Sequence, residues 1–491
     1  MIYQHIATLV ETAIEVDLIK PEDRIYARNQ VLAQLKLTDF PDTAKKTAGE
    51  SIPEALEAIV DYAVEHHIIP NALDATEILR ANVMNCFVAR PSVINQTFDE
   101  QYQISPRHAT DYFYALSRNS NYIQTERVKK NIHYQANTMY GELDITINLS
   151  KPEKDPEQIK RERHTKQTID YPKCPLCVEN EGYPGRVNHP ARANHRVIHV
   201  PLNGEDWYFQ YSPYVYYNEH SIVLSGEHRD MKIDRAAFDR LLTFTEKFPH
   251  YFIGSNADLP IVGGSILNHD HYQAGRYEFA MMRASEKYTF QMSAHPDVHA
   301  SVLEWPLSVI QLKSTSKQSI SDAAESILNI WKQYSDANAS IIAYTGDTRH
   351  NTITPIARKQ DDTFILDLVL RNNRTSYSHP MGIFHPHKDV QHIKKENIGL
   401  IEVMGLAVLP ARLKDELKDI EHFLLGQTQT IAPHHYVWAK TLKDKYGPVK
   451  NAETANTIIQ KELGDKFATV LEHAGVFKHE RSWKKFTNIL E

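Results

Sequence analysis

The sequence predicts an α+β protein: two similar blocks of antiparallel strands with packed helices, preceded by a helical region and followed by a shorter one. Three observations carry that expectation. Apolar residues recur at three-and-four spacing through roughly the first 140 residues, as they do on one face of a helix. The pattern then changes to alternation in "GELDITINLS", where Leu143, Ile145, Ile147 and Leu149 would share one face of a half-buried strand. Two successive runs of strands, helix and strands follow, which points to an internal duplication although residue identity between them is weak.

Taken in order, residues 1–140 carry the helical segments "IATLVETAIEVDLI", "IYARNQVLAQLKL" and "IPEALEAIVDYAVEHHII", punctuated by prolines. Residues 141–300 form the first block. After the charged connector "KPEKDPEQIKRERHTKQTIDYP" come the strands "HRVIHV", "DWYFQY" and "EHSIVLS". A helix over about 234–248 has Asp234 as its cap ahead of Phe238, Leu241, Leu242 and Phe244. In "LPIVGGSILNHDHYQAGRYEF" the pair Gly263-Gly264 signals a tight turn or a close backbone approach before another strand. Residues 301–425 form the second block: "SVLEWPLSVIQL", a helix from Asp322 to Tyr334, then "ASIIAYTG", "TITPIARK" and "TFILDLVLRN". That block closes with "MGIFHPHKDVQH" and a single helix over "IGLIEVMGLAVLPARLKDEL", and residues 426–491 read as helical.

Composition excludes several classes. The 491 residues are 42% hydrophobic and 24% charged, which disfavours disorder and fibrous architectures. A net charge of -7 argues against a protein that grips a phosphate backbone, so no nucleic-acid partner is expected. The N-terminal run carries acids within its apolar stretch and has no basic leader, and no run of about 18 apolar residues occurs; the expectation is a cytoplasmic chain without a membrane partner. Three cysteines, Cys86, Cys174 and Cys177, do not describe a disulfide framework, which turns attention to the close pair as thiolates.

The chemistry concentrates in "NHDHYQAG", residues 268–275. On a strand, His269, His271 and Gln273 point the same way, with neighbours about 7 Å apart. Ordinary hydrogen-bonded histidines on a wet strand face would give the same pattern. Two sharper readings compete with that one. In one, a neutral His271 attacks phosphorus while Gln273 donates a hydrogen bond to a nonbridging oxygen as charge builds there. In the other, His269 and His271 chelate a catalytic metal. "YPKCPLC" adds Cys174-x-x-Cys177, a spacing that lets two thiolates share one zinc ion. His228 in "SGEHRDM" and His269 would complete a Cys₂His₂ set and leave His271 free as the nucleophile.

In these motifs, "CPLC", "SGEHRDM" and "GGSILNHDHYQ", the chain resembles the galactose-1-phosphate uridylyltransferases of the histidine-triad-like superfamily, and most closely their second, bacterial class, the UTP-hexose-1-phosphate uridylyltransferases. "ATDYFYALSRNSNYIQ", "ITINLSKPEKDP" and "FHPHKDVQHIKKENIGLIEVMGLAVLPARL" extend the likeness along nearly the whole chain. The resemblance implies tandem histidine-triad-like halves and an exchange in two steps. UDP-glucose gives its uridylyl group to a histidine, and galactose 1-phosphate then takes it, forming UDP-galactose. It assigns His271 as the nucleophile, Gln273 as the residue that stabilises the nucleotidyl intermediate, and Cys174, Cys177, His228 and His269 as ligands of a structural zinc. Asn256 in "FIGSNAD" matches an asparagine near the nucleotide phosphates. Lys151 or Lys154 in "LSKPEKDP" would contact phosphates in place of an arginine-rich segment that is not recognisable here. Asp270 and Tyr272 replace the residues usual between and after the histidines, and should point away from the row. His385-Pro386-His387, with His379 and His392 nearby, would hold a second metal in a bent segment, and the family implies a homodimer. Two rivals remain open: a histidine-triad nucleotide hydrolase or phosphorylase, and a noncatalytic zinc-binding interaction module.

Overall fold

The computed structural model describes residues 1–150 and 169–491. Helices Ile2–Glu15, Arg24–Gln34, Ile52–Glu65 and Leu73–Asn85 pack around a core of their own. Ile6, Leu9, Val10 and Ala13, at three-and-four spacing, are all buried. Ser51 caps the third helix by accepting from the Glu54 N–H while the Glu54 carboxylate accepts from the Ser51 N–H at 2.8 Å, a reciprocal cap that fixes where the helix begins. Helices Pro91–Ile104 and Pro106–Asn119 then lay Ile94, Phe98 and Phe113 on the main core.

The region expected to be helical up to residue 140 ends instead in a strand. β1 (Ile132–Thr138) pairs with β2 (Gly141–Ile147) across a turn in which Gly141 has φ +93°, a value glycine adopts freely. Leu143, Ile145 and Ile147 of β2 are buried as the alternation requires.

The first block contributes β3 (Ile198–His199), β4 (Trp207–Tyr211), β5 (Ser221–Ser225), the helix Arg235–Lys247, β6 (Phe252–Gly254) and β7 (His271–Gly275). Asp234 caps the helix, accepting from the Ala237 N–H at 3.1 Å. The second block starts before the boundary expected at residue 301, with β8 (Glu286–Phe290) and β9 (His299–Leu303), and continues with β10 (Val309–Ser314) and the helix Lys317–Gln333, then, after the small hairpin β11 (Tyr344–Thr345) and β12 (Thr348–Arg349), β13 (Asn351–Gln360) and β14 (Thr363–Asn372). "ASIIAYTG" therefore adds no strand to the main sheet; Tyr344 and Thr345 pair in the small hairpin, and Ile341 forms an isolated bridge with Asp336.

Ten of these strands form one sheet in the order β3-β4-β5-β7-β6-β13-β14-β10-β9-β8. In each half the fifth strand inserts between the third and fourth, and the halves join antiparallel through their fourth strands, with Gly254 opposite Ile356. The duplication read weakly from sequence is thus a repeat of topology. The helices Arg235–Lys247 and Lys317–Gln333 lie together on one face, over Phe209, Ile253, Leu366 and Leu368. Phe252, Ile356 and Val369, from the same strands but one residue out of phase, enter a second core with β2 and the C-terminal helix Ala452–Ala474.

The single helix expected over "IGLIEVMGLAVLPARLKDEL" is broken into helix Leu400–Val403, strand β15 (Leu406–Leu409) and helix Leu413–Leu424. Gly405 turns the chain at φ +105°, and Pro410 follows the strand. β15 is drawn into a separate three-stranded sheet, β1-β2-β15, by parallel pairing with β2, so tertiary burial overrides a helical spacing. No helix among the described residues is long and apolar enough to cross a membrane.

Candidate functional site

β7 lies between β5 and β6, one strand in from the junction of the two halves. The ladder begins at His271, two residues later than the row suggested, yet Asp270 still holds the register: its N–H donates to the Arg229 carbonyl at 2.8 Å and its carbonyl accepts from Ser225 N–H at 3.0 Å. His271 and Gln273 face the same side. Ile222, opposite Gln273 in register, marks that face, and the Cys174–Cys177 turn packs on Ile222.

Cys174, Cys177, His228 and His269 converge, their ligand atoms all within 4.8 Å of one another. Cys174 Sγ lies 3.5 Å from Cys177 Sγ and 3.3 Å from His269 Nδ1, and Cys177 Sγ lies 3.1 Å from His228 Nδ1. Ligands around a tetrahedral zinc, with Zn–S ~2.3 Å and Zn–N ~2.0 Å, stand about 3.5–3.8 Å apart for pairs that include sulfur. His269 donates from Nε2 to the Ser225 carbonyl at 2.9 Å, which leaves Nδ1 as the ligand atom and fixes the ring. Burial pushes the Cys177 thiol up to about 12, a state that a bound cation reverses. The four groups therefore fit a metal ion. A stripped site would hold two buried thiols with little else to stabilise them.

His271 is buried, and burial pushes it down to about 4, so the ring is neutral. Its Nδ1 is 2.7 Å from the His269 carbonyl oxygen, which can only accept; Nδ1 carries the hydrogen and Nε2 presents its lone pair. Gln273 lines a cavity of about 470 Å³ with Asn256, Gly264, Ser265, Asn397 and Gly399. Gln273 Oε1 and His220 Nε2 are both buried and lie near each other, the Gln273 side chain acting on His220 without a well-aligned hydrogen bond between them. Asn256 lines the same cavity as Gln273, with its Oδ1 accepting from Leu400 N–H at 2.9 Å.

The Gly263-Gly264 pair explains itself here. A Cβ on Gly263 would stand 2.4 Å from the Ala257 carbonyl oxygen and 2.7 Å from that of Leu259, both backbone atoms. Gly263→Ala is expected to cost about 1–3 kcal/mol because the turn must open. An unchanged urea midpoint would refute this.

Other sequence-derived sites fare differently. Lys151 and Lys154 lie outside the described residues. His385 and His387 lie in an irregular segment after β14, not on a strand. His387 directs Nε2 to the Ile383 carbonyl at 3.0 Å and stacks on His473, whereas His385 lies near Asn397 and Arg371. The two are not in a shared ligand group among the described residues; Glu416, His434 and His435 are. Sequence reasoning passed over His220 and Asn397, since an isolated histidine and a loop asparagine carry no spacing signal.

A second cavity, of about 310 Å³, lies between the N-terminal helices and the segment 186–194, lined by Tyr122, His189, Arg192, Asn194 and Tyr214. His195 stacks on Tyr122 at 4.4 Å and bonds Gln210 at 2.7 Å. Gln210 is opposite Ile222, and Ile222 opposite Gln273, so Gln210 lies two strands, or about 10 Å, from Gln273 on the same face.

Comparison with known proteins follows the same lines. Models of the galactose-1-phosphate uridyl transferase N-terminal and C-terminal domains match residues 17–230 and 244–440. The chain is 49% identical over 488 residues to a galactose-1-phosphate uridylyltransferase of Clostridium perfringens (strain 13 / Type A), covering 98% of each. It is 50% identical over 483 residues to one of Halalkalibacterium halodurans, covering 96% of this chain and 95% of the other. A third such protein, from Clostridium acetobutylicum, is 47% identical over 499 residues and covers all of both chains.

Proposed function

The chain belongs to the galactose-1-phosphate uridyl transferase family and is a nucleotidyltransferase, and on that premise we propose that His271 carries the uridylyl group between two hexose phosphates. The observation that supports this most is the hydrogen bond from His271 Nδ1 to the His269 carbonyl, which leaves Nε2 unprotonated and aimed from a buried strand. Nε2 attacks the α-phosphorus of UDP-glucose, the bond to the β-phosphate oxygen breaks, and glucose 1-phosphate leaves. A phosphate oxygen of galactose 1-phosphate then attacks the same phosphorus, the P–N bond breaks, and UDP-galactose forms with His271 restored. One histidine serving twice lets one site accept both hexose phosphates.

Gln273 stands two residues on, against the cavity of about 470 Å³ that would receive the phosphates. Its amide donates to the nonbridging oxygen on which charge accumulates. Removing one such donor typically costs about 10²–10³ in rate, so Gln273→Ala should slow both half-reactions to that extent. Rapid-quench measurement of each half-reaction checks this; a rate within twofold of the native enzyme would assign Gln273 a merely structural place.

We place the nucleoside in the cavity beside Tyr122 and Tyr214, which His195, stacked on Tyr122 and bonded to Gln210, connects to the Gln273 face of the sheet. Tyr214→Ala should raise the KM for UDP-glucose about tenfold and leave that for galactose 1-phosphate nearly unchanged. Equal changes in both constants would move the base elsewhere.

The ion that Cys174, Cys177, His228 and His269 would hold is zinc on the chemistry of two sulfur and two imidazole donors. Bound there, it supplies rigidity rather than reactivity, because four protein ligands leave no open position. His269 is a ligand and its carbonyl orients His271, so the ligand set and the nucleophile share three residues of backbone. Lys151 and Lys154 are proposed as phosphate contacts and a homodimer in the cytoplasm as the working form; light scattering on the purified enzyme tests the dimer.

A further inference from the structure

The two residues interleaved with the row, Asp270 and Tyr272, point to the helix side of the sheet, and both meet one side chain. Arg240, on the helix Arg235–Lys247, is buried. Its Nε donates to the Tyr272 hydroxyl at 2.7 Å and its Nη2 lies 3.5 Å from Asp270 Oδ2. Its remaining nitrogen, Nη1, donates to Glu205 Oε1 at 3.0 Å. All three guanidinium nitrogens are thus committed, two of them to alternate residues of the strand that presents His271.

The surroundings stiffen this contact. Tyr272 stacks on Trp207 with ring centroids 4.8 Å apart and planes 9° apart, and the Arg240 guanidinium lies 5.2 Å from the Trp207 ring centroid. Trp207 Nε1 donates to Glu205 Oε2 at 3.2 Å, and Arg229 bonds both Glu205 and Asp270. Glu205 and Asp270 balance the two arginines, so the charges at the back of the strand are paired. A planar guanidinium that grips residues 270 and 272 together fixes both the roll of the strand and its position along its axis. Between those anchors sits His271, facing the opposite side.

We propose that Arg240, through Asp270 and Tyr272, is the positioning residue that holds His271 in line with the phosphorus it attacks. The proposal rests on the uridylyl-transfer reading of the site. Its physical content is that a displacement of about 1 Å at a reacting atom costs roughly 10² in rate. Lysine keeps the charge but has one point of attachment and cannot hold both anchors. Phenylalanine at 272 keeps the stack on Trp207 and removes only the hydroxyl that Arg240 holds.

The test is the single-turnover uridylylation of the full chain by UDP-glucose, with the native enzyme, Arg240→Lys, Tyr272→Phe and the double variant. Mass spectrometry follows the fraction labelled, and its amplitude and rate constant are read separately. Positioning predicts full amplitude with a rate constant about 10- to 100-fold lower in Arg240→Lys and about three- to tenfold lower in Tyr272→Phe. The KM for UDP-glucose should stay within twofold, and the double variant should be no slower than Arg240→Lys alone, since both changes cut the same link. Rate constants equal to the native value overturn the proposal, even if amplitude falls, because a lowered amplitude records misfolded chains and not misplaced histidine. If Arg240→Lys does not fold, Tyr272→Phe decides the matter alone. Failure of the native chain to accept label would sink the uridylyl-transfer reading, and this proposal with it; label on the native chain with equal rates in the variants sinks only the proposal.

Discussion

Replacing His271 with alanine is expected to leave the chain without label after incubation with UDP-glucose and to lower the exchange rate by roughly 10⁴-fold or more, because no neighbouring group can take over as nucleophile. His269 cannot substitute: its Nε2 is bound to the Ser225 carbonyl and its Nδ1 faces the cysteines. His220, although its Nε2 lacks a well-aligned hydrogen bond, is on β5's side of Gln273 and is bonded through Nδ1 to the Tyr214 carbonyl. The measurement is intact-protein mass spectrometry of both chains after UDP-glucose alone, with a thermal melt to confirm folding. A gain of one uridylyl group on the native chain and none on His271→Ala establishes nucleophile and route together. Release of UMP by the native chain with no label on it would favour the histidine-triad hydrolase, and full activity in the variant would favour a noncatalytic zinc module.

The second large effect concerns the metal. Cys174→Ser is expected to lose one equivalent of bound metal per chain, to destabilise the fold by on the order of 5 kcal/mol, and to slow uridylylation about 10- to 100-fold. The reason lies in the chain path. The Cys174–Cys177 turn makes few apolar contacts of its own, packing on Ile222 and Ile266, so without an ion little holds it to the sheet. His269 would then be held only by its Nε2 bond to the Ser225 carbonyl, and the carbonyl that orients His271 belongs to His269. Elemental analysis, thermal melting and single-turnover rates measure the three effects. A native chain that carries no metal as purified and gains no stability from added zinc would contradict the proposed ligand set.

Much of the site was legible in the sequence because its logic is local. Alternation on a strand places His271 and Gln273 on one face whatever the rest of the fold does, and a Cys-x-x-Cys turn brings two sulfurs within reach of one ion. Asp234 capped its helix, and Gly263-Gly264 proved a close backbone approach, for equally local reasons. What could not be read were partners distant in the chain. Nothing in "DRAAFDRLL" announces that Arg240 reaches two residues of the nucleophile strand, and nothing in "HYVWAK" or "KDEL" announces that His434, His435 and Glu416 meet. His385-Pro386-His387, expected in a bent segment, does lie outside any strand, and the spacing alone did not say that His387 turns to Ile383 while His385 lies near Asn397.

The same division holds for the fold. Periodicity by itself determined the N-terminal helices, the alternation of β2, and the two blocks of strands around a helix, because burying an apolar face requires that spacing. Only tertiary structure decided that the two halves join through β6 and β13 into one sheet, and that "GLAVL" is a strand. Leu406–Leu409 has apolar residues compatible with either conformation; the open edge of β2 and the turn at Gly405 chose between them, since an unpaired buried backbone costs more than a lost helical turn gains.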